Sequence, residues 1–124
     1  MTKYFLTVPH DSVEEPTMAS MDPAELEATL AAVGEFNAAL EEAGALLFAG
    51  GLHPPPTAKT VDVSTGEPRV LDKPFVEAPA YVGGCWLIEV ADEATAVEWT
   101  IRAATALQGR IEVRALQEVP AASS

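Results

Sequence analysis

Apolar and polar positions change period several times along this chain, and each change marks an element. Residues 3–8 (Lys-Tyr-Phe-Leu-Thr-Val) alternate, which predicts a strand with Tyr4, Leu6 and Val8 on one face and Phe5 and Thr7 on the other. The polar stretch from Pro9 to Ser20 reads as a loop. From Asp22 the period lengthens to that of a helix. Leu26, Leu30, Val33 and Leu40, with Phe36 beside them, form one apolar stripe, and Glu27, Glu35, Glu41 and Glu42 fall off it. Asp22 suits the cap, Pro23 the first helical position and Glu25 the acidic place in a capping box, while Gly44 supplies a left-handed stop.

Residues 45–52 predict a second strand, weakened by Gly50-Gly51 and ended by His53 and Pro54-Pro55-Pro56, since proline cannot donate to a ladder. Thr60 to Val63 and Arg69 to Leu71 read as a hairpin around residues 64–68. Pro74 and Phe75 then turn the chain into a loop carrying Glu77 and Tyr81. Gly83-Gly84 releases that loop into Cys85 to Val90, the most hydrophobic strand. Asp92 caps a second helix whose Ala94, Val97, Ile101 and Ala104 are spaced for one buried face, which leaves Trp99 to meet a loop or a partner. Gly109 ends that helix, and Arg110 to Leu116 alternates as a last strand. Residues 1–119 are expected to form a single domain, with a loose tail over 120–124.

With the hairpin set aside, the order is βαββαβ. This is the α+β, ferredoxin-like arrangement of an antiparallel sheet with two helices on one face. Two helices cover only one side. Cys85 and Leu87 lie opposite Trp86, Ile88 and Val90, and Phe5 lies opposite Tyr4 and Leu6. Apolar side chains on the uncovered side predict a homodimer formed by a second copy of the same sheet.

Composition narrows the functions. A chain of 124 residues supports one core, and its net charge of -12 opposes both nucleic-acid phosphates and anionic membranes, so neither is expected as a direct partner. Cys85 is the single cysteine, which excludes an internal disulfide and fits a reducing compartment. The opening apolar run is broken by Pro9 and reads as neither signal peptide nor membrane span, so a cytoplasmic location is expected.

The candidate chemistry gathers by strand direction. The first two strands run parallel and the strand after Gly83 runs against them. His10, Asp11, His53, Asp72, Glu77 and Tyr81 are therefore expected around one mouth. His53 is the candidate for proton transfer, because imidazole titrates near neutrality, and Asp72 the candidate to orient it or hold it charged. The plainer alternative is that His53 closes a strand and Asp72 caps a turn. No ligand spacing of a metal site is present, and no cofactor is implied. Cys85, mid-strand, reads as a small buried hydrophobe rather than a nucleophile, and Trp86 as core filling rather than pocket lining. The glycine pairs read as strand bends rather than phosphate loops.

Several segments occur in a recognisable order. They are Gly51-Leu52-His53-Pro54-Pro55, Asp72-Lys73-Pro74-Phe75, Glu77, Gly83-Gly84, the hydrophobic strand with its acidic ending, and Glu112-Val113-Arg114. Through them residues 50–119 resemble the YCII-related family in its DGPF branch. Lys3-Tyr4-Phe5-Leu6 and the first helix are in keeping. The resemblance implies a dimeric α/β-barrel whose members largely lack an established activity. Some relatives look like small enzymes with a His/Asp pair in a cleft, and some are encoded or fused near alternative sigma factors. This chain departs at Lys73, where the family has glycine, and at Ala78-Pro79-Ala80, where a polar segment is usual. Two functions follow: a cleft binding a small molecule, with possible acid-base work by His53 and Asp72, or a non-catalytic accessory or sensing module tied to transcriptional regulation through a protein partner.

Overall fold

Strand β1 (Thr2–His10) lies between β5 (Tyr81–Val90) and β6 (Glu112–Ala115), antiparallel to both, and β2 (Leu46–Gly51) extends the sheet on the far side of β5. The order β2-β5-β1-β6 with antiparallel neighbours is that of the ferredoxin-like fold, and β1 and β2, both antiparallel to β5, run parallel to each other. A separate hairpin, β3 (Thr60–Asp62) with β4 (Arg69–Leu71), stands outside this sheet. This computed structural model describes residues 1–10, 22–75 and 80–118.

Helices α1 (Pro23–Glu42) and α2 (Glu93–Leu107) cover one face. Along that face β1 contributes Tyr4 and Leu6, β5 contributes Trp86, Ile88 and Val90, and α1 contributes Phe36 and Leu40, all buried. Trp86 is the centre of the packing. Its ring meets Phe36 edge-on at 5.1 Å between centroids, and its Nε1 donates to Asn37 Oδ1 at 2.6 Å, so the one polar atom of a buried indole is satisfied.

The helix ends follow the local chemistry. Asp22 accepts from the backbone N–H of Ala24 and Glu25, and Asp92 from the hydroxyl and backbone N–H of Thr95, two hydrogen bonds that hold the Asp92 carboxyl below its usual range. At the end of α1, Gly44 takes φ +69, and the N–H of Ala45 reaches Leu40 O at 2.9 Å. The end of α2 repeats that motif with a difference. The left-handed position, φ 54, falls on Gln108 and not on Gly109, whose N–H makes the matching bond to Ala104 O.

Three expectations are corrected. The strand expected from Cys85 begins four residues earlier, at Tyr81, so Gly83-Gly84 lies inside it. There the register shifts between Val8 and Pro9: Val8 faces Gly84 and Pro9 faces Val82, leaving Gly83 as the extra residue of a bulge. The buried face of α2 is the opposite one: Ala96, Thr100 and Ala103 face the sheet, while Val97 and Ile101 are exposed. Small residues bring the helix axis close to the strands, and that close approach outweighs the bulk of valine and isoleucine. Trp99 accordingly packs into the core, 6.1 Å from Phe36 and with Arg102 stacked 4.6 Å from its ring centroid, rather than meeting a loop or partner.

On the uncovered face the strand register builds a cross-strand row, Phe48, Leu87, Phe5 and Arg114, and beside it a second row, Gly50, Cys85, Thr7 and Glu112. Phe48 is 57% exposed. Burial pushes the Cys85 thiol up, away from the thiolate a nucleophile needs.

Candidate functional site

At the end of the sheet where β1 and β2 leave and β5 enters, polar side chains and a cavity coincide. His10 ends β1 opposite Tyr81, the first residue of β5. Leu52, just past β2, donates its N–H to Gly83 O at 2.7 Å and carries the pairing of β2 with β5 to the point where His53 follows. The prolines then form a single 3-10 turn, Pro55–Thr57, closed by the Thr57 hydroxyl and N–H on Pro54 O. Between this turn, the base of the hairpin and the start of β5 opens a cleft of about 590 Å³. Leu52, Pro55, Pro74 and Val82 give it apolar walls, and His53, Lys59 and Tyr81 its polar groups. Phe75, at its rim, is 83% exposed and does not plug it.

His53 and Tyr81 therefore share one cleft, and His10 stands beside Tyr81 in register. The ring of His10 lies over Gly83, where a Cβ would come 2.7 Å from its Cδ2. Its Nδ1 is buried without a hydrogen-bond partner among the described residues. Asp72 is placed differently. Its carboxylate accepts from Lys59 Nζ at 2.7 Å, and among the described residues no hydrogen bond joins it to His53. Both members of that ion pair are largely exposed, so the contact orients Lys59 more than it stabilises the fold. Asp11 and Glu77, the remaining expected members of the mouth, lie outside the described residues.

Sequence reasoning passed over Lys59. The signal was there in two forms. It is one of only 7 basic residues against 19 acidic ones, and the hairpin register Thr60 to Leu71 puts Lys59 and Asp72 one step beyond the paired strands. The hydroxyl of Thr60 donates to Lys73 O at 2.7 Å and ties the same base together. Lys73 adopts no positive φ, since Gln108 is the one non-glycine residue to do so among those described, so a side chain at this turn carries no backbone strain.

No group of three or more His, Cys, Asp or Glu among the described residues is placed to hold a metal ion. No helix among them is long and apolar enough to cross a membrane. No curated protein matches the chain significantly. The model of the YCII-related domain matches residues 3–120, nearly the whole length, and with the sheet order and the paired helices on one face this places the chain in the YCII-related family.

Proposed function

We propose that this protein binds a small molecule in the cleft between the 3-10 turn, the hairpin base and the start of β5. The observation that carries the reading is an open cleft of about 590 Å³ in which His53, Lys59 and Tyr81 converge on otherwise apolar walls. A histidine and a lysine at the rim of an apolar cavity favour a ligand with an acidic group. Of the three, His53 carries a ring that can both accept and donate a proton. Asp72 serves this site by holding Lys59 in place, not by pairing with His53.

The test is a thermal-shift screen of small carboxylates and phosphates on wild type, His53→Ala and Asp72→Ala. A ligand at 100 times its dissociation constant is expected to add about 2.7 kcal/mol, a shift of several degrees for a domain of this size. That shift should vanish in His53→Ala and shrink in Asp72→Ala. A panel that shifts nothing, or a shift that both variants retain, refutes the cleft.

The protein acts as a homodimer in this reading, with the row of Phe5, Phe48 and Leu87 covered by the same row of a second copy. Sedimentation equilibrium should return twice the chain mass, and Leu87→Glu should halve it by burying a charge against an apolar partner. A wild-type monomer overturns this. Such a result would also favour the second reading, a non-catalytic accessory or sensing module tied to transcriptional regulation through a protein partner. The exposed Val97 and Ile101 on α2 already lean that way.

A further inference from the structure

A second cavity, of about 340 Å³, lies on the helix side of the sheet, between the first turns of α1 and the place where β2 and β5 carry glycine. Its roof is Leu26, Leu30 and Val33, its floor Gly51 and Gly84, and Trp86 closes its inner end. The bond from Leu52 N–H to Gly83 O runs between it and the His53 cleft. Leu30 belongs to the apolar stripe of α1 and yet is 52% exposed, over a stretch where β2 and β5 carry Gly50, Gly51, Gly83 and Gly84.

The two floor glycines differ in what the fold asks of them. A Cβ on Gly84 would come 3.0 Å from Gly50 O and 3.3 Å from Gly51 Cα, so a side chain there forces the backbone of β2 to give by a few tenths of an ångström. Gly51 faces no such limit. Its φ is not positive, and a Cβ built on it would meet only Gly83 O, at 3.9 Å. By strand alternation from Ala49, which pairs with Trp86, that Cβ would point to the helix side, into the cavity. A glycine near the end of a strand weakens it, and neither sterics nor dihedrals require one here. What the missing side chain does is keep the cavity open.

The lining also sets the chemistry. Among the described residues the cavity is lined by no Lys, Arg, His, Asp or Glu, in a chain of net charge -12. A charged ligand would lose its hydration and gain no counter-ion. Asn37 lines the cavity, and its Oδ1 already accepts from Trp86 Nε1, which leaves its amide NH₂ to donate. We propose that the slot between α1 and the glycine floor is a second binding site, separate from the His53 cleft, for an uncharged and mainly apolar small molecule bearing one hydrogen-bond acceptor for Asn37.

The probe is neutral phenylnaphthylamine, whose fluorescence rises in apolar surroundings, compared with its anionic relative anilinonaphthalene sulfonate. Wild type should bind one neutral probe per chain, saturably and with energy transfer from Trp86, and should bind the sulfonate about tenfold more weakly. Gly51→Val should weaken the neutral probe by about tenfold while leaving the unfolding midpoint equal or higher. Leu30→Trp, a change at an exposed position, should do the same from the helix side. His53→Ala should leave probe binding unchanged, which separates this site from the cleft. Three outcomes overturn the proposal: no saturable binding by wild type, as when another part of the chain fills the slot; equal binding by wild type and both filled variants; or no preference for the neutral probe.

Discussion

Trp86→Ala should be among the most damaging single substitutions in this protein, costing about 3–5 kcal/mol. The indole is 5% exposed and sits where β5 meets α1, with Phe36 against its ring. Removing it leaves a cavity between sheet and helix that Phe36 cannot fill alone, because Phe36 is also held edge-on by Trp99. It also strands Asn37 Oδ1, whose hydrogen bond from Nε1 is lost. For a domain of this length such a loss is a large part of a stability of about 5–15 kcal/mol and should lower Tm by about 10–20 °C. Trp86→Phe separates the two contributions. It keeps most of the ring contact and loses the bond to Asn37, for an expected cost of about 1–3 kcal/mol. Urea unfolding of both variants checks this. If Trp86→Phe proves as damaging as Trp86→Ala, the hydrogen bond and not the packing is the principal term. If both are mild, the centre of the core lies elsewhere.

The parts of the fold that the sequence revealed are those where one physical pattern had no competitor. β1 alternates cleanly and α1 has an unambiguous cap; α1 starts where the pattern puts it, and β1 contains the expected residues 3–8 but runs on through Pro9 and His10, which read as loop. The face of α2 was misread because two stripes compete on it. Val97 and Ile101 are the larger side chains, while Ala96 and Ala103 allow the closer approach to the sheet, and only the partner surface decides between them. The end of α2 was assigned to Gly109 by composition, but hydrogen-bond geometry puts the left-handed residue one position earlier, on Gln108. The site divides in the same way. Strand direction alone brought His53 and Tyr81 to one end, since parallel strands must leave a sheet together. The partner of Asp72 needed the register of a three-residue hairpin, which composition does not set. The slot over Gly51 was hidden for a further reason. A missing side chain carries no positive signal in a sequence, and the same letter stands for Gly84, where a Cβ would crowd the β2 backbone, and Gly51, where it would not.

That distinction leads to the second large effect. Gly84→Val should cost about 2–4 kcal/mol, whereas Gly51→Ala should be neutral or stabilise by up to about 1 kcal/mol. The atoms that a Cβ at residue 84 would strike are the backbone O of Gly50 and Cα of Gly51, at 3.0 and 3.3 Å. A side chain in the way can change rotamer, but a strand in the way can only move off. β2 is an edge strand and pairs only with β5 within the sheet, so the strain resolves by peeling its last residues away from β5. The bond from Leu52 N–H to Gly83 O lies at that end, and with it goes the alignment of His53 with Tyr81. Gly84→Val should therefore lower the urea midpoint and abolish any thermal shift by a ligand of the His53 cleft. Amide exchange should quicken in Leu52 and Gly50, whose N–H groups face β5, while Leu6 and Ile88 stay protected. A variant as stable as wild type, with its exchange unchanged, would mean that β2 and β5 are not held at this spacing. The alignment of His53 with Tyr81 would then have no rigid base.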